Sequence, residues 1–317
     1  MKRIVLLTIM LLPVILHAQS MRLEVLNNGT GKDSSYYDIV VVDENSWFAC
    51  GESGRITSSA TGQKIVAGRQ NIYEGILWSD TLLIFAANQG VVHTMNLNTS
   101  EEKTFLFGRY GKKCLYSMVN TSDNRILICG GNTKIALSQR TIPRGFVAEY
   151  DPFYNKMKRL KHFTMKMLWK IKENDRNLYA LCYRPNRTEI RKSKDGKRWK
   201  KIARIKGLFH DFTFTGKDSI VLCGMTHYSG SSMGIVHYFP QGTTDTILST
   251  SALWNCLSTP EGLFFAGSRG SLYYKSGSQL SEIQTNTRSN LYRIRFITAS
   301  RALIAGSCGY LAWLILE

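Results

Sequence analysis

The chain has 317 residues, of which 44% are hydrophobic and 20% are charged. This composition excludes an intrinsically disordered protein and supplies enough apolar surface for a globular core. Lysine and arginine outnumber aspartate and glutamate by 41 to 23, which gives a formal net charge of +18 and favours anionic partners.

The first 18 residues have the layout of a secretory signal peptide. Lys2 and Arg3 precede an apolar run over residues 4–16, and Ala18 is the small residue expected at a cleavage site. An N-terminal membrane anchor is the alternative, but the run is short for a membrane span and contains Pro13. No cysteine follows the run, so we expect no lipid anchor. We predict a mature chain over residues 19–317 that is periplasmic or secreted and has no transmembrane segment.

The rest of the chain repeats one interval, in which an aromatic residue or histidine is followed 14 positions later by glycine, as in Tyr37 and Gly51. Seven copies start at residues 37, 73, 116, 169, 210, 254 and 292, although the glycine is replaced in two copies and comes one position early in another. A mean spacing near 42 residues is the length of a four-stranded propeller blade. The repeat predicts an all-β fold, a seven-bladed β-propeller of four-stranded antiparallel blades.

The first and last copies show how a blade is built and how the ring closes. "YDIVVV" and "SWFAC" read as the first two strands of the first blade, and Gly51 and Gly54 predict a tight turn with positive φ after them. The last copy ends after its third strand, whereas "RLEVL" at residues 22–26 is an alternating strand without a blade of its own. We predict that residues 22–26 supply the fourth strand of the seventh blade and close the ring.

Four of the seven cysteines occupy one position of the repeat, 13 residues after the start of a copy: Cys50, Cys129, Cys182 and Cys223. A small apolar side chain is required where blades pack closely, and cysteine meets that requirement. Equivalent positions in different blades are too far apart for a disulfide, and no Cys-x-x-Cys motif occurs. We expect no disulfide, no metal and no cofactor.

Two short motifs resemble known propeller families. "SKDGKRW" at residues 193–199 resembles the Asp-box turn of sialidase-like propellers with one residue deleted, and "TGQKI" at residues 61–65 is a fainter match. "FACGESG" and "IAGSCG" resemble the repeats of the photosystem assembly and stability factor propellers. The second resemblance implies an exported assembly or scaffold protein, and the first implies a glycan binder or glycoside hydrolase.

Positive charge is concentrated between residues 156 and 206, where 19 lysines and arginines stand against four acids. The basic part of this segment is predicted to cover the outer rim of the fourth blade, and it includes Lys192, Lys194, Lys197, Arg198, Lys200 and Lys201. This basic rim either protects an edge strand from pairing with other chains or binds an acidic protein, lipid headgroup or polysaccharide. Nucleic acid is not expected, because the signal peptide directs the protein away from it.

A second candidate surface is the face that carries the turns between second and third strands. Inserts in the third and fifth blades flank a loop of the fourth blade there, and together they contain Arg140, Arg144, Arg184, Arg187, His227 and Tyr228. These residues either bind an acidic ligand or peptide or lie in surface loops that vary without consequence.

Catalytic motifs are scarce, since no Gly-x-Ser-x-Gly, His-Glu-x-x-His or phosphate-binding loop occurs. We predict an exported, non-catalytic binding or assembly scaffold for an acidic extracytoplasmic protein or envelope component, acting as a monomer or within a complex. The alternative is a glycan-binding protein or a degenerate sialidase-like glycoside hydrolase.

Overall fold

Seven four-stranded antiparallel sheets make up the computed structural model of the protein, and each sheet is one blade of a propeller. The structure describes residues 20–29, 34–60, 64–66, 68–132, 144–184, 187–227 and 231–317, with the side chains of 64–66 excepted. The predicted all-β, seven-bladed architecture is confirmed. The predicted signal peptide lies outside the described residues.

In six blades the strands follow each other in chain order from the axis outward, and in the seventh the N-terminal strand is the outermost. The first two blades comprise β2 (Tyr36–Val41), β3 (Trp47–Gly51), β4 (Arg55–Ser58), β5 (Lys64–Val66), β6 (Ile72–Ser79), β7 (Leu82–Ala87), β8 (Val91–Asn96) and β9 (Glu102–Leu106). The third and fourth comprise β10 (Lys113–Asn120), β11 (Ile126–Asn132), β12 (Arg144–Asp151), β13 (Lys156–Thr164), β14 (Met167–Asn174), β15 (Asn177–Arg184), β16 (Arg187–Ser193) and β17 (Lys200–Lys206). The last three comprise β18 (Leu208–Phe214), β19 (Ile220–Met225), β20 (Gly234–Phe239), β21 (Thr244–Ile247), β22 (Leu253–Ser258), β23 (Leu263–Gly267), β24 (Leu272–Ser276), β25 (Gln279–Glu282), β26 (Leu291–Phe296), β27 (Arg301–Gly306), β28 (Leu311–Leu316) and β1 (Met21–Asn27).

The hydrophobic core is divided into layers between neighbouring blades. Phe48 of the first blade packs with Phe85 of the second, and Phe264 of the sixth packs with Ile304 of the seventh. Second strands such as β3 are buried along their whole length, because each blade is covered by a neighbour on both faces. Fourth strands such as β13 are mostly exposed. The fold therefore requires a closed ring, since an end blade would leave one apolar face in water.

The N-terminal strand closes that ring, as the sequence predicts. β1 pairs antiparallel with β28, with Met21 opposite Leu316 and Leu23 opposite Leu314. The amide of Glu317 donates to the carbonyl of Ser20 at 2.9 Å. Both ends of the described chain thus meet in the seventh blade.

The repeated aromatic-to-glycine interval has a backbone cause. Tyr36 pairs with Gly51 and Asp38 with Cys50, so Tyr37 is the extra residue of a β-bulge, and the other six copies have the same irregularity. A Cβ on Gly51 would overlap the carbonyl oxygen of Ser35, so close backbone approach requires glycine here, with φ at −178°. The predicted positive φ occurs within the turn, at Ser53 (56°) and Gly54 (72°).

Six of the seven cysteines are buried, and no disulfide occurs among the described residues. Cys50, Cys129, Cys182 and Cys223 are each 0% exposed. Cys114 and Cys256 are also buried, whereas Cys308 is exposed. The position in the repeat therefore selects a small side chain for packing.

Candidate functional site

Seven side chains line the mouth of the axial channel, and we call them the collar. They are the bulge residues of the seven first strands: Tyr37, Tyr73, Tyr116, Trp169, His210, Trp254 and Tyr292. Each ring contacts the next around the circle, with centroid separations between 4.3 and 6.1 Å. The last contact joins Tyr292 to Tyr37 at 5.5 Å and completes the circle. The bulge matters because it turns one ring per blade towards the axis.

Burial controls ionisation in the collar. It lowers the pKa of His210 to about 3, so this imidazole is neutral near pH 7. Burial, the Glu52 carboxylate and Tyr292 raise the pKa of Tyr37 to about 12. Tyr183 fixes the histidine ring, because its hydroxyl lies 3.0 Å from His210 Nδ1. The collar is thus a neutral, aromatic opening.

The collar surrounds a cavity of about 300 Å³. Its walls are the seven rings, and its floor is formed by Lys170, Asp211 and Arg293, which directly follow collar residues on their strands. A volume of this size lies at the lower end of the range for small-molecule sites and suits one side chain or one sugar ring.

Below the collar lies a ring of polar side chains, which we call the inner ring. It contains the residue that follows each collar residue: Asp38, Glu74, Ser117, Lys170, Asp211, Asn255 and Arg293. All seven are buried. All five non-basic members accept a backbone N–H from the first strand of the next blade, as Asp38 does from Gly75 at 2.9 Å and Asn255 from Ile294 at 2.9 Å. The inner ring therefore links neighbouring blades.

The basic members of the inner ring neutralise its acids. Arg293 contacts Asp38, Glu74 at 3.1 Å and Asp211 at 3.7 Å, and Lys170 makes a second contact with Glu74. Lys172, two residues farther along β14, lies 2.8 Å from Asp211. Burial alone would raise the pKa of Asp38, but the Arg293 guanidinium lowers it overall. Asp211 also has a lowered pKa, because Lys172, Lys170 and Arg293 outweigh its burial.

The collar opens onto one face of the propeller, which we call the collar face. Tyr36, beside the collar residue, pairs with Gly51 at the end of the second strand, so the turns between second and third strands and the connections between blades share this face. Among the described residues of these connections the only acid is Glu52. The bases there are Arg69, Arg109, Lys112, Lys166, Arg269 and Arg288.

The opposite face, which we call the far face, has a different charge. Its described connections contain the acids Asp43, Glu44, Asp80, Glu101, Asp123, Asp175, Asp195, Asp218 and Glu261. Several of its bases are neutralised locally, as in the pairs Arg125 with Asp123 at 2.8 Å and Lys217 with Asp175 at 3.0 Å. The positive potential of the described connections is therefore stronger on the collar face.

Four of the residues predicted to bind on the loops are described, and all four lie on the collar face. Arg144 begins β12 and is exposed, while Arg187 begins β16 opposite Arg184. His227 follows β19 and is half-buried. Arg184 lies 3.6 Å from the fully buried Glu189, so it has a structural partner. Arg140 and Tyr228 lie outside the described residues.

The residues of the predicted basic rim lie on β16, β17 and the turn between them, towards the far face. Lys194, Lys197, Arg198, Lys200 and Lys201 are exposed, whereas Lys192 is half-buried. Within the turn, Asp195 accepts the N–H groups of Lys197 at 2.9 Å and Arg198 at 2.8 Å. The indole of Trp199 donates to the carbonyl of Gly196 at 2.7 Å. A depression of about 390 Å³ lies beside this turn.

Solved structures share this architecture at low sequence identity. YCF48 bound to D1 peptide matches with a TM-score of 0.69 and 10% identity over 94% of this chain and 97% of that one. The chain shares the fold of YCF48. YCF48 from Cyanidioschyzon merolae matches with a TM-score of 0.66 and 13% identity over 92% and 98%, and the WD40 β-propeller domain of Doa1 with 0.65 and 12% over 94% and 98%. No family model and no curated protein matches the sequence.

The resemblance to photosystem assembly factor propellers that the repeats carry is therefore confirmed for the fold. What the sequence interpretation missed is that the repeat also builds a site. The aromatic-to-glycine interval predicted the number of blades, but not the collar or the inner ring that its positions form. A signal was present, because the residue after each collar residue is Asp, Glu, Ser, Lys, Asp, Asn or Arg, all polar on a first strand.

Two further findings concern the described residues alone. The described residues contain no group of three or more His, Cys, Asp or Glu side chains that could hold a metal ion. None of their helices has the length and apolar character needed to cross a membrane.

Proposed function

We propose that this protein is an exported, non-catalytic scaffold that holds an acidic segment of a protein partner across its collar face. The observation that carries the proposal is the difference in charge between the two faces. In the described connections of the collar face, basic residues are opposed by Glu52 alone, whereas the far face carries many acids. A surface of one sign attracts and orients a partner of the other sign.

Apolar contacts support a protein partner. Leu106, Met165 and Leu248 are 67%, 59% and 78% exposed, and all three lie where fourth strands end at the collar face. A protein partner can contact these side chains, but the far face exposes Phe153 (77%) and Tyr154 (72%) to a similar degree, so charge and not apolar exposure distinguishes the two faces. The collar cavity provides a recess for one side chain of the same partner, in the manner of an interface anchor.

The comparisons support the same type of partner. YCF48 has been solved bound to D1 peptide, and the Doa1 match is a WD40 propeller. These proteins share a fold with this chain and very little sequence, so they support a binding role without naming a ligand.

The channel chemistry favours binding over hydrolysis. A carboxyl group that acts as a general acid near neutral pH needs a raised pKa. Asp38 and Asp211 have lowered pKa values, because neighbouring cations outweigh their burial. Glu74 contacts both Lys170 and Arg293. These carboxylates are arranged as ion-pair partners.

A direct binding test uses a labelled short peptide of glutamates with one tryptophan, and its counterpart with lysines, in fluorescence anisotropy. We expect the acidic peptide to bind more tightly, and raised ionic strength to weaken binding. Arg69→Glu with Arg288→Glu should weaken it about tenfold or more, because both side chains are exposed on the collar face.

The matched control reverses two exposed rim lysines, Lys194→Glu with Lys197→Glu. This double variant changes the net charge by the same amount as the Arg69 and Arg288 double variant, but it should leave binding of the acidic peptide nearly unchanged. Equal binding of the two peptides would contradict the proposal. A larger effect of the control pair would indicate that the partner binds the basic rim.

A glycan ligand is the second candidate, and the collar cavity is the observation that favours it. Aromatic walls above a polar floor suit a sugar ring, whose C–H groups pack on aromatic faces. Sugar binding that resists salt and is lost in Trp254→Ala would favour this alternative.

A further inference from the structure

We propose that the cleft between the second and third blades, at the collar face, binds a phosphate group. Two of its cations, Arg109 and Arg159, lie near the hydroxyl of Tyr110. Lys113 and His162 lie near Arg144 and Arg159, so the five basic side chains form one cluster. This site goes beyond the proposed function, because it names a small anionic group and can be tested without the protein partner.

Strand geometry brings the basic side chains of the third blade to one side. His162 lies opposite Phe146 in the β12 and β13 pairing, and Arg159 lies opposite Ala148. Residues opposite each other in an antiparallel pair share a sheet face, and alternation places Arg144 on that face as well. Phe146 and Ala148 pack against the second blade, so these cations face the second blade too.

Lys113 and Tyr110 complete the cleft from the axial side. Lys113 Nζ donates to Asn132 Oδ1 at 2.6 Å and to the carbonyl of Arg144 at 3.3 Å, which positions its ammonium group beside β12. The ring of Tyr110 contacts Phe146 with centroids 4.6 Å apart. The connection between the blades and the start of β10 thus place a tyrosine and a lysine side chain beside β12.

No carboxylate of the described residues forms an ion pair with the cations Lys113, Arg144 and Arg159. The insert at residues 133–143, between β11 and β12, contains no aspartate or glutamate in its sequence. Burial and then Arg144 and Arg159 lower the pKa of Lys113, which is the expected effect of crowded like charges.

The basic cluster of the fourth blade, by contrast, is built around an acid. In the fourth blade Lys166, Arg191 and Arg204 lie 3.1, 2.8 and 3.1 Å from the buried carboxylate of Glu189. The cleft between the second and third blades has the cations of such a cluster without its carboxylate. An external anion would fill that role.

Tyr110 supplies the second, independent observation. Its side chain is 3% exposed, and its hydroxyl makes no hydrogen bond within the described part of the chain. Burial raises its pKa against the opposing effect of Arg109 and Arg159, so the hydroxyl remains a donor. This buried donor, placed near two guanidinium groups, is therefore positioned to bind an anionic oxygen.

A phosphate fits better than a carboxylate because of charge and oxygen count. A phosphate monoester carries nearly two negative charges at neutral pH and presents three strong acceptor oxygens. Guanidinium groups bind such oxygens in pairs, and the lysine and the tyrosine hydroxyl can reach the remaining ones.

The test is isothermal titration of the full mature chain with inorganic phosphate at constant ionic strength, set with chloride. We expect saturable binding of phosphate, weaker binding of sulfate and little binding of acetate. Arg159→Ala should weaken phosphate binding at least tenfold, and Tyr110→Phe several-fold, since the latter removes a single oxygen.

Matched controls come from the same strand. Lys158→Ala and Lys161→Ala remove exposed cations that lie opposite Glu149 and Val147, on the other sheet face. They should leave phosphate affinity within twofold of the parent. If Lys158→Ala and Arg159→Ala weaken phosphate binding equally, the binding depends on general surface charge and the proposed site is wrong. A lack of saturable phosphate binding would also overturn the proposal.

Titration with glycerol 3-phosphate identifies the source of the group. Tighter binding than inorganic phosphate supports a phosphate ester such as a lipid headgroup, and equal binding supports the free ion. Because Arg69 and Arg288 lie outside the cleft, failure of the peptide assay leaves this titration unaffected.

Discussion

Replacing Arg293 by methionine tests the electrostatic account of the channel. This guanidinium contacts Asp38, Glu74 and Asp211, and its side chain is 6% exposed. Methionine fills similar space and removes the charge, so the variant isolates the electrostatic part of the contact.

The expected loss follows from what each carboxylate retains. Glu74 keeps Lys170, and Asp211 keeps Lys172 at 2.8 Å. Of its ion pairs with described residues, Asp38 keeps only the one with Arg295, at 3.9 Å and from a side chain that is 39% exposed, beside its hydrogen bond from the Gly75 N–H at 2.9 Å. One buried carboxylate therefore loses its partner, which costs about 3–5 kcal/mol of unfolding free energy. For a chain of this size, that loss lowers the melting temperature by roughly 10 °C.

The effect should depend on pH in a defined direction. In the parent protein, Arg293 lowers the pKa of Asp38 despite burial, so its contribution to stability is present at neutral pH and is lost as pH falls through the folded-state pKa. In the variant, burial without a cation raises that pKa, and protonation relieves the buried charge. The stability difference between parent and variant should shrink as pH is lowered from 7 to 4.5.

Urea unfolding at both pH values measures the difference. Arg295→Met, two residues along the same strand, is the matched control and should cost less than about 1 kcal/mol, because its side chain is partly exposed. Adding Asp38→Asn to Arg293→Met should restore part of the loss. A cost below about 1 kcal/mol for Arg293→Met, or a loss that does not change with pH, would refute the reasoning.

Three further predictions concern the fold. Deleting residues 20–28 should lower the melting temperature sharply in calorimetry, because it removes the strand that closes the ring, and an unchanged value would argue against closure by β1. Gly224→Ala places a Cβ against the carbonyl of Leu208 and should cost about 1–3 kcal/mol in urea unfolding, whereas Gly108→Ala meets nothing within 4 Å and should be neutral. Because the pKa of His210 falls to about 3, the parent should lose stability as pH drops below about 6.5, and His210→Phe should reduce that slope by up to about 1.4 kcal/mol per pH unit. Parallel stability curves for parent and His210→Phe would contradict the buried, neutral imidazole.

Much of the fold was predictable from the sequence alone, because its signal is local and repeated. The bulge at Tyr37 and the close approach at Gly51 involve one strand pair, and each blade repeats that pair with the same residue types. The unpaired strand at residues 22–26 predicted ring closure for a similar reason, since an open edge in the last blade needs a partner. Local backbone requirements therefore determined the number of blades and their order.

The site depended on contacts that only the closed ring creates. Tyr37 meets Tyr292, and Asp38 meets Arg293, across 255 residues of chain. A repeat shows that these positions are equivalent, but which acid meets which base depends on blade number and side-chain length. The charge difference between the two faces and the cationic cleft around Tyr110 were equally hidden, because each gathers residues from separate blades or connections. Tertiary structure decided them, since electrostatic interactions follow distance in space, which ring closure sets independently of separation along the chain.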